Sequence, residues 1–184
     1  KEISDFTGAG YAVATVNGTA ALHIALLLAG IEQGDEVITQ ALTFVATCNA
    51  IHYTGANPVL IDVDMDTLGM SPQKLQDFLE ANTESRKGIC YNKKTGKAIK
   101  AVVPMHTFGL PARLGELKKV CGRYNLILIE DAAESLGSYR NNKHTGTIGR
   151  LGTLSFNGNK IITTGGGGMI LTNDEAIAKK AKHI

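Results

Sequence analysis

The sequence predicts an α/β protein whose mostly parallel, mixed sheet carries helices on both faces. Strand and helix signals alternate along the 184 residues, and this alternation is typical of layered α/β folds. The predicted strands are apolar runs of about four to eight residues, as expected for strands that are buried on both faces of a parallel sheet. With 43% hydrophobic and 20% charged residues, the chain has the composition of a globular domain.

Five helices are predicted, most of them from a polar residue at the start. The first is strongly apolar, follows Asn17-Gly18-Thr19 and ends at Gly30, which is the usual pattern of a polar cap and a glycine stop. Ser71 and Pro72 begin another, with the hydroxyl at the cap and the proline in the first turn. The predicted ranges are 20–30, 44–53, 71–79, 114–124 and a last helix capped by 173–175.

Six strands are predicted among these helices. The clearest of them is an apolar run that ends in Glu130 and Asp131. Residues 82–96 are polar and poorly patterned, so we expect an exposed excursion there rather than a strand. The predicted strands are 36–39, 58–64, 101–105, 126–131, 153–156 and 169–172.

The composition argues against several classes of function. A net charge of +2 gives no reason to expect a nucleic-acid or membrane partner. The three cysteines include no CxxC pair and the five histidines are scattered, so neither a disulfide framework nor a metal site is predicted. No apolar run is long enough for a membrane span, and no signal peptide is recognisable, so we expect a cytoplasmic location. Residues 179–184 continue a helix without a stop, and we therefore expect a piece of a longer protein.

Three features lie where ligands bind in open α/β sheets, beyond the carboxyl ends of the strands. Residues 18–20 begin a helix, whose free N–H groups and dipole favour an anion, although an ordinary cap explains them equally. Asp131 ends an apolar strand, where a protonated ring nitrogen would offset its burial, while capping or exposure to solvent are alternatives. Lys160 lies in an Asn/Gly loop before four glycines, 165–168, which suits either a surface loop or a close approach to a ligand.

A series of short motifs runs in order along nearly the whole chain. They are residues 17–22 (NGTAAL), 34–38 (GDEVI), 43–47 (TFVAT), 58–64 (PVLIDVD), 104–109 (PMHTFG), 130–135 (EDAAES) and 155–160 (SFNGNK). Together they resemble the DegT/DnrJ/EryC1/StrS sugar aminotransferase family of fold-type I pyridoxal-phosphate enzymes. The resemblance implies that residues 1–184 form the large, cofactor-binding domain, without the smaller C-terminal domain of the family.

The resemblance also implies roles for individual residues around pyridoxal 5'-phosphate. Lys160 would form the Schiff base and then move a proton between cofactor and substrate, and Asp131 would keep the pyridine nitrogen protonated. Phe44 would stack on the ring, and Glu134 would approach the cofactor's 3-oxygen, as an acceptor or, if protonated, as a donor. His106 receives no role, and a structural histidine is the preferred interpretation. Four residues would hold the phosphate: Gly18, Thr19, Ala20 and Ser155.

The implied reaction transfers an amino group, with glutamate as donor, to a keto-deoxysugar linked to a nucleotide. The family also implies a homodimer with a shared active site. Two alternatives remain: a sugar dehydratase of the same superfamily that uses pyridoxal or pyridoxamine phosphate, and a truncated, non-catalytic cofactor-binding domain. The dehydratases characteristically have histidine in place of the Schiff-base lysine, so Lys160 favours the transferase.

Overall fold

The computed structural model describes all 184 residues and is built on one nine-stranded sheet, with a separate two-stranded ribbon. The strands are β1 Tyr11–Thr15, β2 Glu36–Gln40, β3 Asn57–Ile61, β4 Thr83–Arg86, β5 Ile89–Asn92, β6 Ala98–Val103, β7 Ile127–Asp131, β8 Tyr139–Arg140, β9 Lys143–His144, β10 Leu151–Ser155 and β11 Gly168–Thr172. The helices are α1 Glu2–Thr7, α2 Gly18–Leu28, α3 Val45–Tyr53, α4 Pro72–Asn82, α5 Leu114–Arg123 and α6 Glu175–Ala181, with a 3-10 turn at Thr107–Gly109. None of the helices is long and apolar enough to cross a bilayer.

The sheet is mixed and mostly parallel, as predicted. Its main strand order is β1-β11-β10-β7-β6-β2-β3. The five strands from β10 to β3 run parallel to one another, whereas β11 is antiparallel to both β10 and β1. The parallel strands therefore end at one edge of the sheet, where their carboxyl termini come together.

Alternating side chains on the central strands build a core on each face of the sheet. On β2, Val37 packs into the cluster beneath α2, α3 and α6, while Ile38 packs into the cluster beneath α4 and α5. On β7, Ile129 and Leu128 divide in the same way. This period of two in buried strands confirms the predicted helices on both faces.

All the predicted helices and strands are present, with ends that differ by a few residues. Gly30 has a φ of +78° just beyond α2, so it is the left-handed stop expected from the sequence. Residues 82–96 are mostly exposed, as predicted, but the expectation that they contain no strand is wrong. This segment forms the hairpin β4–β5, and β5 pairs with the beginning of β6.

The hairpin escapes sequence analysis because its buried positions are largely polar. Thr83 and Asn92 are buried, and the Asn92 side chain donates to Glu36 Oε2 at 2.8 Å. Such a pair replaces the apolar alternation by which half-buried strands are recognised. The sequence analysis also missed α1 and the edge strand β1, in which Val13 is the only fully buried residue.

Candidate active site

A cleft of about 280 Å³ lies beyond the carboxyl ends of β7 and β10, beside the N-termini of α2 and α3. Seven of the eight site residues predicted from the sequence line it: Gly18, Thr19, Phe44, Asp131, Glu134, Ser155 and Lys160. Ala20 does not line the cleft. These seven come from four separate segments of the chain, so the fold, and not their spacing in sequence, assembles the site.

One wall of the cleft is the N-terminus of α2. The side chain of Asn17 caps this helix by accepting a hydrogen bond from Ala20 N–H at 2.8 Å. The N–H group of Ala20, which the resemblance assigns to the phosphate, is thus occupied by the helix cap. The N–H groups of Gly18 and Thr19 have no partner in the protein, and neither do the hydroxyls of Thr19 and Ser155. Four unpaired donors at a positive helix end are suited to binding an anion.

Gly18 permits α2 to approach β10 closely enough to bring these donors together. A Cβ at residue 18 would lie 2.7 Å from Ser155 Cβ. We expect Gly18→Ala to lower the free energy of unfolding by about 1–3 kcal/mol, the usual cost of overpacking. Urea denaturation followed by circular dichroism measures this change.

The matched control is Gly115→Ala in α5. A Cβ there meets nothing within 4 Å, and alanine is the better helix former by up to about 1 kcal/mol. We expect this variant to be as stable as the parent or more stable. Equal stability of Gly18→Ala and the parent would mean that the contact between α2 and Ser155 relaxes without cost.

The floor of the cleft is the carboxylate of Asp131, which is 3% exposed. Its Oδ2 accepts from Thr47 Oγ1 at 2.7 Å, and its Oδ1 accepts from Ala133 N–H at 3.2 Å. Burial raises the pKa of Asp131, and the hydrogen bond from Thr47 opposes that rise. A cationic donor from a ligand would offset the cost of keeping this carboxylate charged.

Lys160 points into the cleft from the loop after β10. Its Nζ forms an ion pair with Glu134 Oε1 at 2.9 Å and lies 5.6 Å from the centre of the Phe44 ring. The lysine side chain is only 11% exposed, so the interpretation of Lys160 as a surface residue is wrong. The ring of Phe44 is itself 61% exposed at the start of α3, which leaves one aromatic face open to a planar ligand.

His106 does not line the cleft, and its contacts are those of a structural residue. It is fully buried, its Nδ1 accepts from Ala112 N–H at 3.1 Å, and its Nε2 lies 3.1 Å from Glu130 Oε2. Because Nδ1 is an acceptor, the proton of the neutral ring lies on Nε2 and is donated to Glu130. The preferred interpretation of His106 as a structural histidine agrees with this geometry.

Glu130 is a residue whose importance the sequence analysis missed. Its carboxylate is fully buried and accepts, besides His106, the backbone N–H groups of Gly146, Ile148 and Gly149 at 2.6–2.7 Å. The carboxylate therefore ties the loop before β10 to β7. It faces away from the cleft, although it precedes Asp131 directly in the chain.

The four glycines after Lys160 turn the chain and do not contact the cleft. Gly165 and Gly167 have φ values of +80° and +133°, which favour glycine. Gly168 packs directly against the backbone of Asn17. The predicted close approach is thus to the protein's own backbone and not to a ligand.

Several further residues line the cleft that were not predicted to do so. The polar ones are Asn17, Asn157 and Asn159, and the apolar ones include Met105 and Ala133. Asn157 and Asn159 lie in the same Asn/Gly loop as Lys160, so their presence beside it follows once the loop is placed at the cleft. No group of three or more histidine, cysteine, aspartate or glutamate side chains is placed so that it could hold a metal ion.

Comparison with known proteins decides the family. The model of the DegT/DnrJ/EryC1/StrS aminotransferase family matches residues 1–184, which is the whole chain. The chain belongs to this family. EpsN of Bacillus subtilis, by name a pyridoxal phosphate-dependent aminotransferase, is 44% identical over 184 residues, which cover 100% of this chain and 45% of EpsN.

Other family members agree with this assignment. GDP-perosamine synthase of Caulobacter vibrioides is 41% identical over 184 residues, again covering 100% of this chain and 45% of the relative. The crystal structure of a DegT/DnrJ/EryC1/StrS aminotransferase from Brucella abortus matches with a TM-score of 0.90 at 32% identity, covering 100% of this chain and 47% of that one. The chain therefore spans just under half the length of these family members.

Proposed function

We propose that this chain carries the pyridoxal 5'-phosphate site of an aminotransferase that transfers an amino group, with glutamate as donor, to a keto-deoxysugar linked to a nucleotide. The observation that carries the proposal is the cleft itself. It brings together the amine of Lys160, the buried carboxylate of Asp131 and the free N-terminus of α2. The names of EpsN and of GDP-perosamine synthase support the cofactor and the class of sugar.

The cleft residues fit the cofactor group by group. The free N–H groups of Gly18 and Thr19, with the hydroxyls of Thr19 and Ser155, suit a phosphate. Asp131 receives one hydrogen bond on each oxygen from the protein, and a protonated ring nitrogen would add a charged donor. The open face of Phe44 suits a stacked ring.

The reaction divides the work between the cofactor and the protein. When bound, pyridoxal phosphate supplies an electron-poor ring that accepts the electrons of a broken substrate bond. Lys160 would supply the amine for covalent attachment and, once free, would move a proton between a carbon of the substrate and a carbon of the cofactor. Its Nζ is held at 2.9 Å by Glu134, which accepts its proton or fixes its position. Asp131 keeps the proton on the ring nitrogen.

We propose that the complete enzyme is a homodimer in which both chains contribute to each site. Apolar residues next in sequence to cleft residues are exposed in the single chain: Val16 is 75%, Val45 60% and Ile161 58% exposed. A second copy that covers them would also exclude water from the cleft.

Because the chain spans 45% of the length of its two curated relatives, we propose that it is the cofactor-binding large domain and that turnover needs further residues as well.

The test is borohydride reduction of the purified chain after incubation with pyridoxal phosphate, followed by peptide mapping. We expect a visible absorbance band and, after reduction, the cofactor attached to Lys160. Lys100 is the internal control, since its amine also pairs with carboxylates, Asp35 at 2.8 Å and Glu32 at 3.0 Å, but outside the cleft.

The outcomes separate the candidate functions. Cofactor spread over Lys100 and other lysines, with none on Lys160 in either this chain or the full-length protein, contradicts the proposal. Attachment to Lys160 and loss of the band on addition of glutamate support the transferase. Attachment without any response to amino donors in the full-length protein favours a non-catalytic cofactor-binding domain. A dehydratase is disfavoured because residue 160 is lysine.

A further inference from the structure

The buried hydroxyl of Thr47 contacts Asp131 from the first turn of α3. Thr47 is 1% exposed, and its Oγ1 donates to Asp131 Oδ2 at 2.7 Å. Thr43 Oγ1 in turn donates to Thr47 Oγ1 at 2.9 Å. An ionised carboxylate only accepts, so the single proton of Thr47 is committed to Asp131, and its lone pair receives the proton of Thr43. The hydrogen bonds therefore form one chain that ends on the carboxylate, and each strengthens the next.

Few other groups favour the charged form of Asp131. Ala133 N–H donates to Oδ1 at the longer distance of 3.2 Å. Lys160, from the loop after β10, is the cation that faces the carboxylate, and its charge is shared with Glu134. His106, which follows β6, also lowers the pKa of Asp131, but with a smaller effect than Thr47 or Ala133. Among the groups that lower the pKa of Asp131 against its burial, Thr47 has the largest effect.

The same turn of helix also carries the aromatic wall of the cleft. Phe44 is the N-terminal cap of α3, and Thr47 is the third residue of the helix. Residues three apart lie on one face of a helix, and the backbone N–H of Thr47 donates to Phe44 O at 3.1 Å. A displacement of this turn would therefore move the Phe44 ring and the donor to Asp131 together.

We propose that Thr47 is a positioning residue, which fixes the Asp131 carboxylate and keeps it ionised for the ring nitrogen of the cofactor. The inference deepens the proposed function and rests on it for the identity of the ligand. The contact itself exists without any ligand, so it can be tested in the cofactor-free chain.

The first measurement is an NMR pH titration of Asp131 in the cofactor-free chain, with the side-chain carboxyl labelled by ¹³C. Thr47→Val removes the donor and keeps the shape, so the titration midpoint of Asp131 should move to higher pH. Thr47→Ser restores the hydroxyl and should restore the parent midpoint. Thr39→Val is the matched control, because Thr39 is fully buried and donates to Val103 O at 2.8 Å away from the cleft. This control should leave the midpoint unchanged.

The second measurement is cofactor binding at several pH values. Loss of a hydrogen bond to a charged group should weaken binding of pyridoxal phosphate to Thr47→Val by about tenfold near neutral pH. The low-pH limit of binding should also move upward, because the carboxylate must be ionised to hold the ring nitrogen. Thr47→Ser should bind as the parent does.

The results distinguish failure of this inference from failure of the proposed function. An unchanged Asp131 midpoint in Thr47→Val overturns the inference, even where the cofactor is found on Lys160. A shifted midpoint in a protein that never attaches cofactor supports the hydrogen-bond chain and overturns the proposed function. If Thr47→Val does not fold, Thr43→Val removes the donor to Thr47 together with longer contacts to Phe44 O and Met105 Sδ, and it should shift the midpoint in the same direction by less. No shift in that variant counts against the inference.

Discussion

Lys160→Ala is expected to abolish the borohydride-stable attachment of cofactor and to slow turnover of the full-length protein by at least about 10²–10⁴-fold, the usual contribution of one positioned acid–base group. Lys160 is the only lysine that lines the cleft, so no other amine can take over its attachment. The fold should tolerate the change. The Lys160 side chain is only 11% exposed, but 29% of the Glu134 side chain is accessible, so water can reach the carboxylate that the substitution leaves unpaired.

The control for this variant is Lys100→Ala. Lys100 loses a comparable set of carboxylate partners, Asp35 and Glu32, but lies outside the cleft. We expect it to keep both the attachment at Lys160 and the turnover. Mass spectrometry of reduced protein, thermal denaturation and turnover with glutamate would be measured for both variants. Normal turnover by Lys160→Ala would remove the central role assigned to this residue.

Reasoning from the residues alone singled out Asp131, because its signal is local. Asp131 ends a strand that can be recognised by its apolar run. The carboxyl ends of parallel strands meet at one edge of the sheet, so the ends of different strands predict one site. The motif resemblance then supplied Lys160, Phe44 and Ser155, which composition and periodicity alone do not assign to a site.

The remaining features depend on contacts between distant parts of the chain. Thr47 is an ordinary helix residue until α3 is set against β7, whose Asp131 lies 84 residues further on. Ala20 was assigned a free N–H because the sequence does not tell whether the side chain of Asn17 caps this donor. The β4–β5 hairpin was missed because its buried contacts, such as Asn92 with Glu36, are polar.

Glu130 and Asp131 illustrate the same limit most clearly. Both are buried carboxylates at the end of β7, and alternation along a strand places them on opposite faces. Which face holds the cleft and which holds the 146–149 loop depends on how β10 pairs with β7. The structure therefore predicts opposite roles for two neighbouring acids.

Glu130→Gln is expected to lower the free energy of unfolding by about 3–5 kcal/mol, as for other disrupted buried charge networks. The carboxylate accepts four hydrogen bonds, from His106 and from the N–H groups of Gly146, Ile148 and Gly149. A glutamine has one acceptor oxygen. Its NH₂ group would face N–H donors and cannot accept hydrogen bonds from them. At least one buried N–H would lose its partner. Urea denaturation at neutral pH measures the change.

Asp131→Asn is the matched control, and it should have little effect on stability but a large effect on cofactor binding. Burial raises the pKa of Asp131, so the native state binds its proton more tightly than the unfolded chain does. Ionisation of Asp131 therefore lowers the free energy of unfolding as the pH rises from the pKa of aspartate in the unfolded chain to its raised pKa in the folded chain. This loss of stability persists at higher pH. Asparagine removes that cost and loses about one hydrogen bond, worth about 1 kcal/mol. The cofactor-free variant should stay within about 1 kcal/mol of the parent at neutral pH, while its attachment of pyridoxal phosphate is lost or much weakened.

The pair of variants separates the carboxylate that holds the fold from the one that serves the site. Glu130 has its full set of donors within the protein, so its charge is already compensated when the cleft holds no ligand. Asp131 has one donor on each oxygen and a cationic lysine nearby, so it has fewer donors than Glu130, and a cationic group of a ligand would add to them. Equal destabilisation by the two substitutions would mean that Asp131 is also a structural acid, whose burial is not maintained for a cofactor.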